Sequence, residues 1–150
     1  MKSLSSMGIE NLLRLLNENK VKYVIIGAFA FPFYGYTRAT LDVDIFVKPE
    51  KENIERLMEA LRNYGYDLQD LTIQDFLENK ILIRQYTLEI DLHPYVKGVC
   101  FEEVWKNRKK VRLKDVEFYI PSLEDLIKMK ESAGREKDLQ DVKILKKLKS

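Results

Sequence analysis

Thr40-Leu41-Asp42-Val43-Asp44-Ile45-Phe46-Val47 is the stretch on which the reading of this chain turns. Side chains alternate faces along a strand, so a strand over residues 41–47 sends Asp42 and Asp44 to one face and Val43 and Ile45 to the core. Two carboxylates side by side on an otherwise apolar strand repel one another unless a cation sits between them. Oxygen ligands of this kind suit Mg²⁺ or Mn²⁺, with phosphate oxygens and water completing the shell. An isolated D-x-D is short enough to arise by chance, and a strand end whose acids face solvent is the competing reading. The flanking residues decide between them.

Upstream, Tyr23-Val24-Ile25-Ile26 is apolar at every position and ends at Gly27, the pattern of a central strand buried on both faces. Residues 28–34 are apolar without β-branching and predict a short helix, with Pro32 near its first turn. Gly35-Tyr36-Thr37-Arg38-Ala39-Thr40 then leads into the acids. A glycine at a strand-to-helix turn lets backbone N–H groups face a phosphate at the positive end of the helix. Arg38 adds a planar fork that matches phosphate oxygens. Alone, Gly27 reads as a turn glycine and Arg38 as a surface charge; together with the acids they describe a phosphate and metal site.

Working outward, Ile9, Leu12, Leu13 and Leu16 fall on one helical face. Ile54, Leu57, Met58 and Leu61 do the same over residues 52–63, with Gly65 as the stop. Residues 81–91 read as two strands joined by a tight turn near Gln85, and residues 116–120 as a further strand. Two helices close the chain, from about Ser122 and about Gly134, the second with Leu139, Val142, Leu145 and Leu148 facing inward. The expected architecture is α/β (α+β), a mixed β-sheet flanked by helices, in one domain over residues 1–150.

The chain is long enough for one ordinary core, and 45% hydrophobic with 33% charged residues marks it as globular rather than disordered. A net charge of +2 creates no field that demands a nucleic acid or an anionic membrane. Residues 1–7 lack the apolar core of a signal peptide, and no apolar run approaches bilayer-spanning length. The single cysteine, Cys100, fits a reducing compartment. The cytoplasm is the expected location. Lys143, Lys146, Lys147 and Lys149 read as the solvated face of the last helix, and Phe31, Phe33, Tyr34 and Tyr36 as core or pocket wall.

Gly27-Ala28-Phe29-Ala30 followed by Gly35-Tyr36-Thr37-Arg38-Ala39-Thr40-Leu41-Asp42-Val43-Asp44 resembles the signature of the DNA polymerase β-like nucleotidyltransferase superfamily, and in particular its minimal bacterial and archaeal members. The resemblance implies a third acid on a later short apolar strand. Leu88-Glu89-Ile90-Asp91-Leu92 meets that description, with Asp91 preferred and Glu89, on the same face, the alternative. The closing segment, residues 120–141, is similar as well and implies that Lys130 and Arg135 face the nucleotide. Unpaired, such residues would be ordinary helix-surface charges. One departure is Ala28, where the family carries Gly or Ser, so a phosphate-binding hydroxyl is absent. His93, the only histidine, lies two residues beyond Asp91 and is read as a packing or solvent residue.

What the resemblance implies is transfer of a nucleoside monophosphate from an NTP donor to an acceptor. Asp42 and Asp44 would hold the Mg²⁺ or Mn²⁺ that carries the triphosphate, and with Asp91 a second ion at the acceptor oxygen. Gly27 and Arg38 would neutralise the pyrophosphate charge, and Thr40 would order the loop. The acceptor class stays open among small molecules, tRNA and proteins, because fold does not choose among them. A homodimer is also left open. The alternative is a non-catalytic NTP- and metal-binding regulatory module, as one half of a toxin–antitoxin-like pair. A D-x-D glycosyltransferase is disfavoured, 150 residues being short for such a catalytic domain.

Overall fold

The computed structural model describes residues 8–40, 42–85 and 87–149. Residues 1–7 and Leu41, on which the leader reading and the start of the D-x-D strand fall, lie outside the described residues. The architecture is mixed α+β. Strands β1 (Tyr23–Ile26), β2 (Asp42–Val47), β3 (Ile81–Ile83) and β4 (Glu89–His93) form one sheet in the order β1-β2-β4-β3. β2 and β4 are parallel, while β1 pairs antiparallel with β2 and β3 with β4. A separate antiparallel hairpin, β5 (Lys109–Leu113) and β6 (Val116–Ile120), lies against β1.

Periodicity explains most of the helices. Helix α1 (Ile9–Glu18) buries Leu12, Leu13 and Leu16 completely, and α2 (Lys51–Tyr64) buries Ile54, Leu57, Met58 and Leu61 before Gly65 ends it in a left-handed conformation. Buried Asn53 ties α2 to the sheet. Its Oδ1 accepts from the Lys22 backbone N–H at 2.7 Å, and its Nδ2 donates to the Lys22 and Lys48 carbonyls, both at 3.0 Å.

Four expectations differ from the structure. Residues 28–34 form two short 3₁₀ turns, Gly27–Phe29 and Phe31–Tyr34, in place of an α-helix. Pro32 in that short span has no N–H to sustain an α-helical ladder. Two helices were not foreseen, α3 (Ile73–Glu78) and α4 (Phe101–Lys106), each too short to show a period. β5 was not foreseen either. Finally, α6 (Glu136–Lys149) buries Asp138, Asp141, Val142 and Leu145, whereas Leu139 and Leu148 are exposed. The helix turns its acids inward because α5 (Leu123–Ala133) and the loop before β2 supply cations there. Among the described residues no helix is long and apolar enough to cross a membrane.

Candidate active site

The parallel register of β2 and β4 builds the site. It sets Asp42 beside Glu89, Asp44 beside Asp91 and Phe46 beside His93. Alternation then sends these side chains to one face, while Val43, Ile45, Ile90 and Leu92 fill the core on the other. Phe46 is buried even so, because Phe101 of α4 packs edge-on against it at 5.2 Å. Asp42 and Asp44 are half-buried and Asp91 is only 6% exposed. His93 Nε2 stands 2.9 Å from Asp44 Oδ1. Asp44, Asp91 and His93 each offer one ligand atom, and these atoms all lie within 4.8 Å of one another.

Gly27 closes the site from β1. Its φ of +72° is left-handed, and a Cβ there would meet Asp44 Oδ2 at 2.6 Å. Only glycine allows the backbone to sit against that carboxylate.

Two cations face the acids from the two ends of β3, Lys80 just before it and Arg84 just after. Arg84 Nη1 is 2.7 Å from Asp91 Oδ1, and its Nη2 is 3.7 Å from Asp42 Oδ2. The Nη1 hydrogens are aimed at the Ile83 and Ile90 carbonyls, 3.4 and 3.2 Å away, so the buried Asp91 Oδ1 has close positive charge but no aligned hydrogen bond. Asp91 above all, then Asp42 and Glu89, holds the Arg84 guanidinium above its ordinary pKa. Lys80 Nζ approaches Asp91 Oδ2 at 3.9 Å.

A second charged cluster stands where α5 and α6 meet the loop. Asp141 accepts from the Tyr36 hydroxyl at 2.9 Å and pairs with Arg38 and, at 3.4 Å, with Lys130. Asp138 pairs with Lys130 at 3.3 Å and with Arg135 Nε at 2.6 Å. Burial raises the Asp138 carboxyl, but the Arg135 and Lys130 contacts outweigh it and leave its pKa below the ordinary value. A cleft of about 160 Å³ joins both clusters, bordered by Gly27, Asp44, Lys80, His93, Lys130 and Arg135. A larger groove of about 590 Å³ between α5 and α6 borders none of the site acids.

The residues singled out from the sequence therefore fall into groups. Asp44, Asp91 and Gly27 converge, and Asp42 stands at the strand entrance under Arg84. Ala28 is buried behind Gly27, and Thr40 Oγ1 donates to the Asp42 carbonyl at 2.9 Å. Arg38 and Lys130 meet at Asp141. His93, read as a bystander, touches Asp44, and strand alternation from Asp91 was the signal that placed it on the same face. Arg84 and Lys80 were not singled out, although Ile81-Leu82-Ile83-Arg84 alternates so that Arg84 shares a face with exposed Leu82.

The donor set suits a divalent cation: two carboxylates and an imidazole with ligand atoms at close range.

A mixed sheet of this order, with a glycine turn against paired acids, places the protein in the nucleotidyltransferase class. The chain matches, over residues 6–146, the family described as a nucleotidyltransferase of unknown function (DUF6036), and it belongs to that family. Its fold is similar to that of a Thermotoga maritima protein, TM1012, described as a candidate nucleotidyltransferase. That likeness has a TM-score of 0.64 at 13% identity and covers 89% of this chain and 86% of that one. It is also similar to the lincosamide antibiotic adenylyltransferase LnuA in its lincomycin-bound form, with a TM-score of 0.63 at 17% identity, covering 92% and 94% of the two chains. No functionally curated protein matches the sequence.

Proposed function

We propose that residues 1–150 form one domain that moves a nucleoside monophosphate from an NTP to an acceptor hydroxyl or phosphate, with Mg²⁺ or Mn²⁺ at Asp42, Asp44, Asp91 and His93. The observation that carries this reading is the register pairing of Asp44 with Asp91 beneath the Gly27 turn. A divalent ion held there would offset triphosphate charge and lower the pKa of the acceptor hydroxyl.

The chain's own groups supply the rest. Gly27 and Lys130 line the cleft on the donor side, where positive charge favours the departing pyrophosphate. Arg38 and Lys130 are shared with Asp141, so a phosphate competes with that carboxylate for them. Arg135, on the exposed side of Asp138, faces the outer part of the nucleotide. As the acceptor oxygen bonds to the α-phosphorus, the bond from that phosphorus to the bridging oxygen breaks and pyrophosphate leaves. The acceptor's proton passes to the Asp91 carboxylate. A small-molecule acceptor is the first class to test, given the lincomycin bound to a protein of similar fold; tRNA and proteins follow.

The test is incubation with each α-labelled NTP and cell extract, with and without Mg²⁺. The expected result is a labelled acceptor with the parent and none with Asp44→Asn. Undiminished labelling by Asp44→Asn overturns the site. Ala28, which lacks the hydroxyl, favours a second reading, a regulatory module that binds NTP without turnover. A parent that binds Mn²⁺–NTP but labels nothing with any NTP selects that reading.

A further inference from the structure

Resting on the metal-dependent reading above but narrowing its ligand set, we infer that the site takes one divalent ion, at Asp44, Asp91 and His93 without Asp42, and that the Arg84 guanidinium occupies the place of a second cation between Asp42 and Asp91. The three ion ligands are already gathered within 4.8 Å. Asp42, the remaining acid of the D-x-D pair, offers no atom to that group and instead has Arg84 Nη2 3.7 Å from its Oδ2. The same guanidinium bridges to Asp91 Oδ1 at 2.7 Å. It therefore spans the gap that a second ion shared by these two carboxylates would need.

Arg84 is built into that place. Its Nη1 is held by the backbone carbonyls of Ile83 and Ile90, one on each of two paired strands. Strand alternation from Leu82 sends the side chain to the face of the acids, so the position follows from the β3 register as well as from charge attraction.

Charge balance points the same way. Four carboxylates share the face, Asp42, Asp44, Glu89 and Asp91, and Arg84 and Lys80 neutralise two of them. One divalent ion balances the remainder. A second would sit within contact range of a guanidinium that is always charged, and the repulsion between them is strong in a partly buried site. Removing the Arg84 charge leaves one negative charge unbalanced between Asp42 and Asp91 and opens the second position.

The experiment is titration of the purified chain with Mn²⁺ alone, counting bound ions by electron paramagnetic resonance and calorimetry. Arg84→Gln and the charge-keeping Arg84→Lys are measured beside the parent, and melting curves confirm that each is folded. The inference expects one Mn²⁺ site in the parent and in Arg84→Lys. Arg84→Gln should gain a second site or bind Mn²⁺ about tenfold more tightly. Two sites in the parent overturn the inference and leave the proposed function standing. An Arg84→Gln protein that is folded and binds one Mn²⁺ with parental affinity also overturns it. A parent that binds no Mn²⁺ overturns the metal-dependent reading itself.

Discussion

Replacing Gly27 by alanine tests whether the turn and the Asp44 carboxylate form one unit. Gly27 has φ +72°, where an L residue costs about 1–2 kcal/mol. A Cβ would stand 2.6 Å from Asp44 Oδ2, against 3.4 Å for the start of ordinary contact, so the carboxylate must retreat by the difference, 0.8 Å. Asp44 cannot simply swivel, because Oδ1 is held by His93 at 2.9 Å. Metal–ligand distances tolerate only about 0.2 Å, so the movement spoils the ion site as well as the fold. Gly35→Ala is the control: φ is +98° and nothing lies within 4 Å, so it carries the backbone cost alone. Gly27→Ala should lower Tm by roughly 2–8 °C and weaken Mn²⁺ binding by about tenfold or more, whereas Gly35→Ala should lower Tm by a similar backbone share and spare Mn²⁺. Calorimetric melting and Mn²⁺ titration read both quantities. In an Asp44→Ala background the extra penalty of Gly27→Ala should vanish, since only Asp44 Cβ, 3.5 Å away, remains. Equal Mn²⁺ affinity in the Gly27→Ala and parent proteins would refute the reasoning.

Other expectations follow from the same contacts. Asp91→Asn should weaken Mn²⁺ binding about tenfold or more and cut transfer by orders of magnitude, with Glu89→Gln nearly silent in both; the reverse pattern would show that Glu89 is the third acid. Asp141 is 2% exposed and holds Arg38, Tyr36 and Lys130, so Asp141→Asn should lose about 2–3 kcal/mol in urea unfolding, and a loss below about 0.5 kcal/mol would contradict the network. Asp138 has a folded pKa below its usual 3.8, so the stability it adds is present above that value and disappears as pH falls through the lower folded one. The stability gap between the parent and Asp138→Asn should be constant from neutral pH to about 5 and close below about 4; a gap unchanged at pH 2.5 would remove this cause.

Local pattern was enough for the strands other than β5, for α1 and α2, and for the shared face of Asp42 and Asp44, because alternation and helical period are properties of a few consecutive residues. The short helix α3 was missed, although Thr72 and Asp75, which exchange side-chain and backbone hydrogen bonds across its first turn, carry a local start signal. Other features depended on partners far along the chain. Nothing near residue 139 indicates that α6 buries Asp138 and Asp141 while Leu139 faces solvent. That orientation exists because Arg38 and Lys130 arrive from other elements and join the neighbouring Arg135 in satisfying the two acids, and an unpaired buried carboxylate would not be tolerated. Likewise Arg84 directly follows β3 in sequence and is the neighbour of two site acids in space. The sequence alone determined which residues could share a face; the parallel register of β2 with β4 decided which of them meet, because register is set by the packing of whole strands on a common core.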